Sequence, residues 1–305
     1  MIVEQEKYPN LAHFAAVQLS VSPGQERFFK KRFDLASDAE MESLEVLADC
    51  VKKLIEDDAE TYARDYEWVC QEQLAEELYF RRNGKYRLSS FQEAYDQVYS
   101  NEAYMSRYMN GLLFSQLWWS NHANVMNYYI DTFLANLPDQ ADHLEIGPGH
   151  GLFLFLAGKS DKIKSLTGWD ISPASIDATT HALKALGTNV MPNLTLVDMF
   201  DNPTGSFDSI VFSEVLEHME TPGEALNVLR SLLSDRGQLF INMPINSPAP
   251  DHIFNKDKPE DLRAFVEDHG LKVISEAFFP ATNQTLEKAL RKKMSVNCVF
   301  ICEKA

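Results

Sequence analysis

At 305 residues, with 28 Lys and Arg against 45 Asp and Glu and a formal net charge of −17, the chain suits one large domain or two ordinary ones. An apolar fraction of 45% and a charged fraction of 24% exclude wholesale disorder, collagen-like repetition and a disulfide scaffold. The acid excess argues against nucleic-acid or polybasic membrane partners, because phosphate contacts need a Lys/Arg surface.

Two local basic clusters, Arg81-Arg82-Lys85-Arg87 and Arg291-Lys292-Lys293, read as solvated turns. No apolar run approaches the ~20 residues that span a bilayer. The start, Met-Ile-Val-Glu-Gln-Glu-Lys, lacks the basic and apolar regions of a signal peptide. Cys50, Cys70, Cys298 and Cys302 show no zinc spacing. The expectation is a cytoplasmic protein with reduced, mostly buried thiols and no metal.

Residues 1–137 form the first expected domain, mainly helical. Ser37-Asp-Ala-Glu40 is a capping box, and Leu44, Leu47, Val51, Leu54 and Ile55 follow at helical spacing. A second helix carries Tyr66, Val69, Cys70, Leu74 and Leu78. Asn83-Gly84 suits a tight hairpin whose flanks, within Leu78–Leu88, pair as short strands. Ser90-Phe-Gln-Glu93 opens the next helix. Between residues 101 and 135, aromatics and Met surround nearly every helical face, which predicts burial on several sides. Pro138-Asp-Gln-Ala141 reads as a linker.

The second expected domain, residues 138–305, alternates strands with helices. Strands are predicted at His143–Ile146, Ser165–Trp169, Leu194–Val197, Ser209–Phe212, Gln238–Asn242, Lys272–Phe279 and Ser295–Cys302. Thr221-Pro-Gly-Glu224 starts one helix, and Pro259 and Gly270 bracket another. This alternation implies a largely parallel, doubly wound sheet with its ligand beyond the strands' carboxyl ends.

The sharpest motif is His143-Leu-Glu-Ile-Gly-Pro-Gly-His-Gly151, a strand entering a glycine loop and then a helix. Glycines at 147, 149 and 151 allow a sharp turn and close approach to a ligand. The G-x-G-x-x-G dinucleotide spacing is broken by Leu152, and no P-loop lysine follows. Asp170 stands nineteen positions after Gly151, where a carboxylate grips a ribose diol. Asp198 ends the third predicted strand, and Phe212-Ser-Glu-Val-Leu-Glu-His218 follows the fourth.

Glu-Ile-Gly-Pro-Gly-His-Gly, Trp-Asp-Ile-Ser and Ser-Glu-Val-Leu-Glu-His together resemble the motifs of class I S-adenosylmethionine (AdoMet)-dependent methyltransferases, over about residues 141–303. The resemblance implies a Rossmann-like α/β fold with a seven-stranded sheet whose last strand is antiparallel. It also implies that Glu145, Gly147 and Gly149 cradle the methionine part of AdoMet, and that Asp170 holds the ribose with Ile171 beside the adenine. Asp198 and Met199 would meet the adenine ring, and Glu214 would close the methionine end. The helix–hairpin–helix around Asn83-Gly84 is similar to the winged-helix dimerisation domains of small-molecule O-methyltransferases. That likeness implies a homodimer through the first domain.

Methyl transfer to a hydroxyl is helped by a general base worth about 10²–10⁴ in rate, whereas a carboxylate acceptor needs only positioning. His218 is the leading candidate and His252, in a proline-restricted loop after the fifth strand, the second. Glu217 and Asp251 are placed to orient either imidazole. Glu217, His122, Tyr104 and Tyr108 are candidate acceptor contacts, and the alternative for each is packing. Asp198, Asn242 and Asn246 lack the paired pattern of a metal-assisted site. The reading is AdoMet-dependent O-methylation of a small aromatic or apolar metabolite. The alternatives are methylation of a peptide or carrier-bound intermediate, and a non-catalytic AdoMet-binding regulator whose hairpin reads DNA.

Overall fold

A computed structural model describes residues 2–55 and 58–305. The chain divides into two compact units. The first comprises Met1–Asn124, Ser247–Ile253 and Phe279–Val296, and the second comprises Val125–Asn246, Phe254–Phe278 and Asn297–Ala305.

All seven predicted strands form: β1 (Ala141–Ile146), β2 (Ile163–Asp170), β3 (Asn193–Leu196), β4 (Phe207–Ser213), β5 (Leu233–Ile245), β6 (Leu271–Pro280) and β7 (Val296–Lys304). They make one mixed sheet in the order β3-β2-β1-β4-β5-β7-β6. The pairs β1–β2, β2–β3, β1–β4 and β4–β5 are parallel. β7 runs opposite to β5, since Gln238 bonds Glu303 while Asn242, further along β5, bonds Asn297. β1 and β4 are buried because they lie at the centre, where both faces are covered. Between them the strand order reverses, and the switch point lies beyond Ile146 and Ser213.

The aromatic run after residue 124 packs on this sheet. Tyr129 and Phe133 lie 5.4 and 5.3 Å from Phe240, and Tyr129 lies 4.6 Å from Phe153. The first break between the compact units falls at Asn124/Val125, and Ser247–Ile253 and Phe279–Val296 group with the helical unit.

In the helical unit, Asp38–Ile55 and Ala59–Asn83 form helices, as does Glu102–Trp118. The last two approach closely at Gly111, where an added Cβ would sit 2.8 Å from the Asp65 carbonyl and against Val69. Arg107 and Asn110 both donate to the Asp65 carboxylate, at 3.0 and 2.9 Å, across the same seam. Trp118, fully buried, is met edge-on by Phe29 at 4.9 Å.

Three local expectations are corrected. No strand occurs at residues 78–88 among the described residues, so the hairpin wing is absent. The helix continues to Asn83, and Gly84 (φ 69°) caps it by donating to the Phe80 carbonyl at 2.7 Å. The glycine's left-handed conformation ends a helix here, which one turn residue does as readily as it starts a hairpin. Leu74 and Leu78 are 58% and 47% exposed, so only Tyr66 and Val69 of that expected stripe reach the core. The Thr221 side chain makes no cap bond; Pro222 in the first turn starts that helix. All four cysteines are free thiols, three of them buried. Among the described residues no helix is long and apolar enough to cross a membrane.

Candidate active site

Each strand end at the switch point is carried outward by one further backbone bond. Gly147 donates to Trp169, Val197 to Asp170 and Glu214 to Asn242, at 2.8, 2.9 and 2.9 Å. Gly147, Gly149 and Gly151 all have positive φ (71°, 50° and 69°), as a turn that presents its backbone to a ligand requires. An added Cβ at Gly147 would come within 3.0 Å of Val215, whereas at Gly149 it would meet open space. Thr179 pins the loop by donating to the Gly149 carbonyl at 2.8 Å.

Glu145 is 3% exposed on β1. Its carboxyl takes the Leu154 N–H, while Oε2 has no hydrogen-bond partner among the described residues. Burial pushes this carboxyl well above the usual carboxylate range. A buried oxygen left unsatisfied beneath a left-handed glycine loop is a cradle for a cationic or hydrogen-bonding ligand group, such as the amino group of a bound amino acid. The residues present therefore fit AdoMet at this place.

Asp170, ending β2, accepts from the Ser172 N–H at 2.9 Å and from the Ser175 hydroxyl at 2.6 Å. These turn bonds orient the carboxylate, and its oxygens keep further lone pairs. Ile171 beside it is 58% exposed. Asp198, exposed, accepts from Phe200 N–H at 2.9 Å, and Met199 is buried.

Glu214 adopts φ 54°, which is uncommon for a non-glycine residue and is found at strained functional turns. Its Oε1 accepts from Asn242 at 2.8 Å and from Asn297 at 2.6 Å. Burial holds this carboxyl above the ordinary range, opposed by the His218 charge and by bonds from Asn242, Asn297 and Glu217. Glu217 is fully buried, and its Oε1 lies 3.9 Å from His218 Nε2 in the turn Leu216–His218. The sequence reading did not connect Asn242 and Asn297 with Glu214. A polar amide at the same depth in two apolar strands is the signal that marks them. Asn242 is also engaged through Ser213 and Asn297, so its amide is not presented to a metal.

The other candidates belong to the helical unit. Tyr104 donates to Glu72 at 2.9 Å and Tyr108 to Asp251 at 3.1 Å. Burial raises both phenols above their ordinary range, Asp251 adding to the shift at Tyr108. His122 Nδ1 lies 3.2 Å from the Gln116 amide nitrogen and 3.0 Å from Ser115 Oγ, and burial lowers its pKa to about 4. His252 is buried, with Nδ1 2.6 Å from the Ser247 carbonyl.

Comparison with known proteins adds to this geometry. A family described as a methyltransferase domain matches residues 118–277, more than half of the chain. The ubiquinone biosynthesis O-methyltransferase of Colwellia psychrerythraea is 26% identical over 182 residues, covering 53% of this chain and 73% of that protein. Two solved structures share the fold. One is the mitomycin 7-O-methyltransferase MmcR, with TM-score 0.54, 13% identity and coverage of 99% of this chain and 95% of the other. The other is the S-adenosylmethionine-dependent methyltransferase SibL, with TM-score 0.54, 11% identity and coverage of 80% and 73%.

Proposed function

Because the chain belongs to the AdoMet-using methyltransferase domain family and acts on small molecules, we propose that it methylates a hydroxyl oxygen of an aromatic or largely apolar metabolite. The glycine loop with the buried, unsatisfied Glu145 oxygen beneath it carries the donor half of this reading. The name of the ubiquinone-biosynthesis relative supports oxygen as the acceptor atom.

When bound, AdoMet supplies a methyl already activated by its sulfonium. Gly147 and Gly149 then offer backbone groups to its amino-acid end, and Glu145 receives its ammonium. Asp170 holds the ribose hydroxyls, Ile171 and Met199 flank the adenine, and Asp198 accepts from the adenine amino group. Glu214, fixed by two asparagine amides, closes the methionine end. An imidazole, His218 or His252, holds the proton that the acceptor hydroxyl gives up. The main work of these residues is in-line positioning and exclusion of water. Residues 1–137 select the acceptor, with Glu217 and the aromatic helices as contacts.

Full-length protein with methyl-labelled AdoMet and a panel of phenols, alcohols, carboxylic acids and short peptides tests the reading. Label on phenols or alcohols, lost in Asp170→Ala, is expected. Label confined to carboxylates or peptides replaces the acceptor class. Heat from S-adenosylhomocysteine binding without any transfer turns the assignment to a regulator.

A further inference from the structure

The helix Ala59–Asn83 has two faces. One packs inward through Ala63, Tyr66, Val69 and Phe80. The other carries Glu60, Arg64, Glu67, Gln71, Leu74, Leu78 and Arg81, all exposed except Glu67, which is partly covered. The steps between them alternate between four and three residues, an average of about 3.5, the period that keeps a stripe facing one partner helix along its length. At the middle of the stripe Leu74 and Leu78 stand one turn apart, with exposed Ala75 beside them. A single surface leucine is ordinary. Two on one turn, on a helix whose back is already in the core, are apolar surface aligned for a contact.

The charges on either side of the leucines are sorted by sign. Glu60 and Arg64 neutralise each other at 2.8 Å, and Arg81 pairs with Glu77 of its own helix. Glu67 on the amino side, and Arg82 and Lys85 on the carboxyl side, make no ion pair among the described residues. The stripe therefore reads acid, leucine, leucine, base, an order that is its own complement when reversed. With Leu74 of one copy against Leu78 of another, the antiparallel register sets Gln71 against Arg81 and Glu67 against Lys85, with Arg82 alongside. A two-fold axis makes each of these contacts twice. A different acidic protein would match only the basic end and would set its own acid against Glu67.

We propose that this exposed stripe of Ala59–Asn83 is a self-association face, which pairs with the same stripe of a second copy of the chain in antiparallel register. The leucines supply the contact area, and the charges set direction and register, since exposed ion pairs are worth little by themselves. Two leucines per copy make a small apolar contact, so the dimer belongs to the weak class. The pairing uses helix residues, needs no hairpin wing, and does not depend on the donor or the acceptor.

Sedimentation equilibrium of the full-length protein, from micromolar to submillimolar concentration, tests the face. Wild type is expected to show a concentration-dependent monomer–dimer equilibrium. Leu74→Ser/Leu78→Ser is expected to weaken association by about tenfold or more, with circular dichroism unchanged because both side chains are exposed. Glu67→Lys alone and Arg82→Glu/Lys85→Glu alone are each expected to weaken it as well, by setting like charges together. Mixed in equal amounts, these two charge variants restore both opposite-charge contacts, so native mass spectrometry should find the heterodimer in excess over either homodimer. A wild type monomeric at every concentration overturns the proposal. So does a dimer that the leucine and charge variants leave unchanged, or a mixture that does not recover association.

Discussion

The sheet edge and the loop that carries Asp251 organise polar groups in opposite ways. At the sheet edge Asp170 and Asp198 stand at or just past a strand end and take sequence neighbours as partners, Ser172 and Ser175 for Asp170 and Phe200 for Asp198, while Glu214 alone reaches two other strands through Asn242 and Asn297. In the helical unit Asp251 takes its two donors, Tyr99 and Tyr108, from 152 and 143 positions away. Short-range constraint leaves a motif in the sequence, because glycine, serine and aspartate must stand at fixed offsets for the turn to close. Long-range constraint leaves none, since a tyrosine that packs and one that clamps a carboxylate read alike.

In each unit burial lowers the pKa of one histidine, and acid should bring out the largest effect. Burial lowers His122 to about 4 in the helical unit and His143 to about 3 on β1. Both pKa values lie below the unfolded value near 6.5, so the unfolded chain binds more protons as pH falls below 6.5. Each group then removes about 1.4 kcal/mol of stability per pH unit, His122 down to about pH 4 and His143 down to about pH 3. Urea midpoints measured from pH 7 to 4 should decline with a slope that flattens by about one proton in His122→Gln and likewise in His143→Gln. An unchanged slope in either variant would show that histidine charged in the folded protein.

Two glycines separate donor binding from packing. Gly147→Val puts a branched side chain at φ 71° with its Cβ 3.0 Å from Val215. Strain and crowding together cost about 3 kcal/mol, on the order of a hundredfold in affinity for S-adenosylhomocysteine by calorimetry. Gly111→Ala is ordinary in backbone terms but drives a methyl group to 2.8 Å from the Asp65 carbonyl. Its expected cost is about 2 kcal/mol in denaturant midpoint. If Gly147→Val bound the donor like wild type, the loop would not be the donor cradle.

The sheet was legible for a physical reason: short apolar stretches such as Ile210–Phe212 and Leu239–Ile241 alternate with helical patterns, and β1 and β4 each run into a turn the chain spells out. The positions proposed for the donor lie at strand ends that the sequence marks: the glycines after β1, Asp170 at the end of β2 and Glu214 after β4. Three things were not legible. Asn83-Gly84 carries the chemistry of a positive φ, and that chemistry serves a hairpin and a helix cap equally. Tyr129 and Phe133 belong to a helical stretch in sequence, and their packing on Phe153 and Phe240 is a long-range contact that the sequence does not mark. Tyr108 was expected as an acceptor contact or a packed residue, and nothing in the sequence pointed to Asp251 as the partner of its hydroxyl.

The smallest effect concerns the pattern Ser/Thr-x-x-Glu, which occurs at Ser37, Ser90 and Thr221. Ser90 accepts the Glu93 N–H at 3.2 Å while Glu93 reaches back to the Ser89 N–H at 2.9 Å, so both arms of the box are made. Those bonds hold the Glu93 carboxyl below its ordinary range. Ser37 accepts the Glu40 N–H at 3.2 Å, but Glu40 turns instead to the buried Arg32 at 2.7 Å. Thr221 makes no side-chain cap, because Glu224 N–H already donates to the Thr221 carbonyl at 3.0 Å in a first turn begun by Pro222. Ser90→Ala should therefore cost about 1 kcal/mol in denaturant midpoint, Ser37→Ala somewhat less, and Thr221→Ala close to nothing. Equal losses at Ser90 and Thr221 would mean that the sequence pattern stabilises a helix start without the side-chain hydrogen bond that distinguishes these two ends.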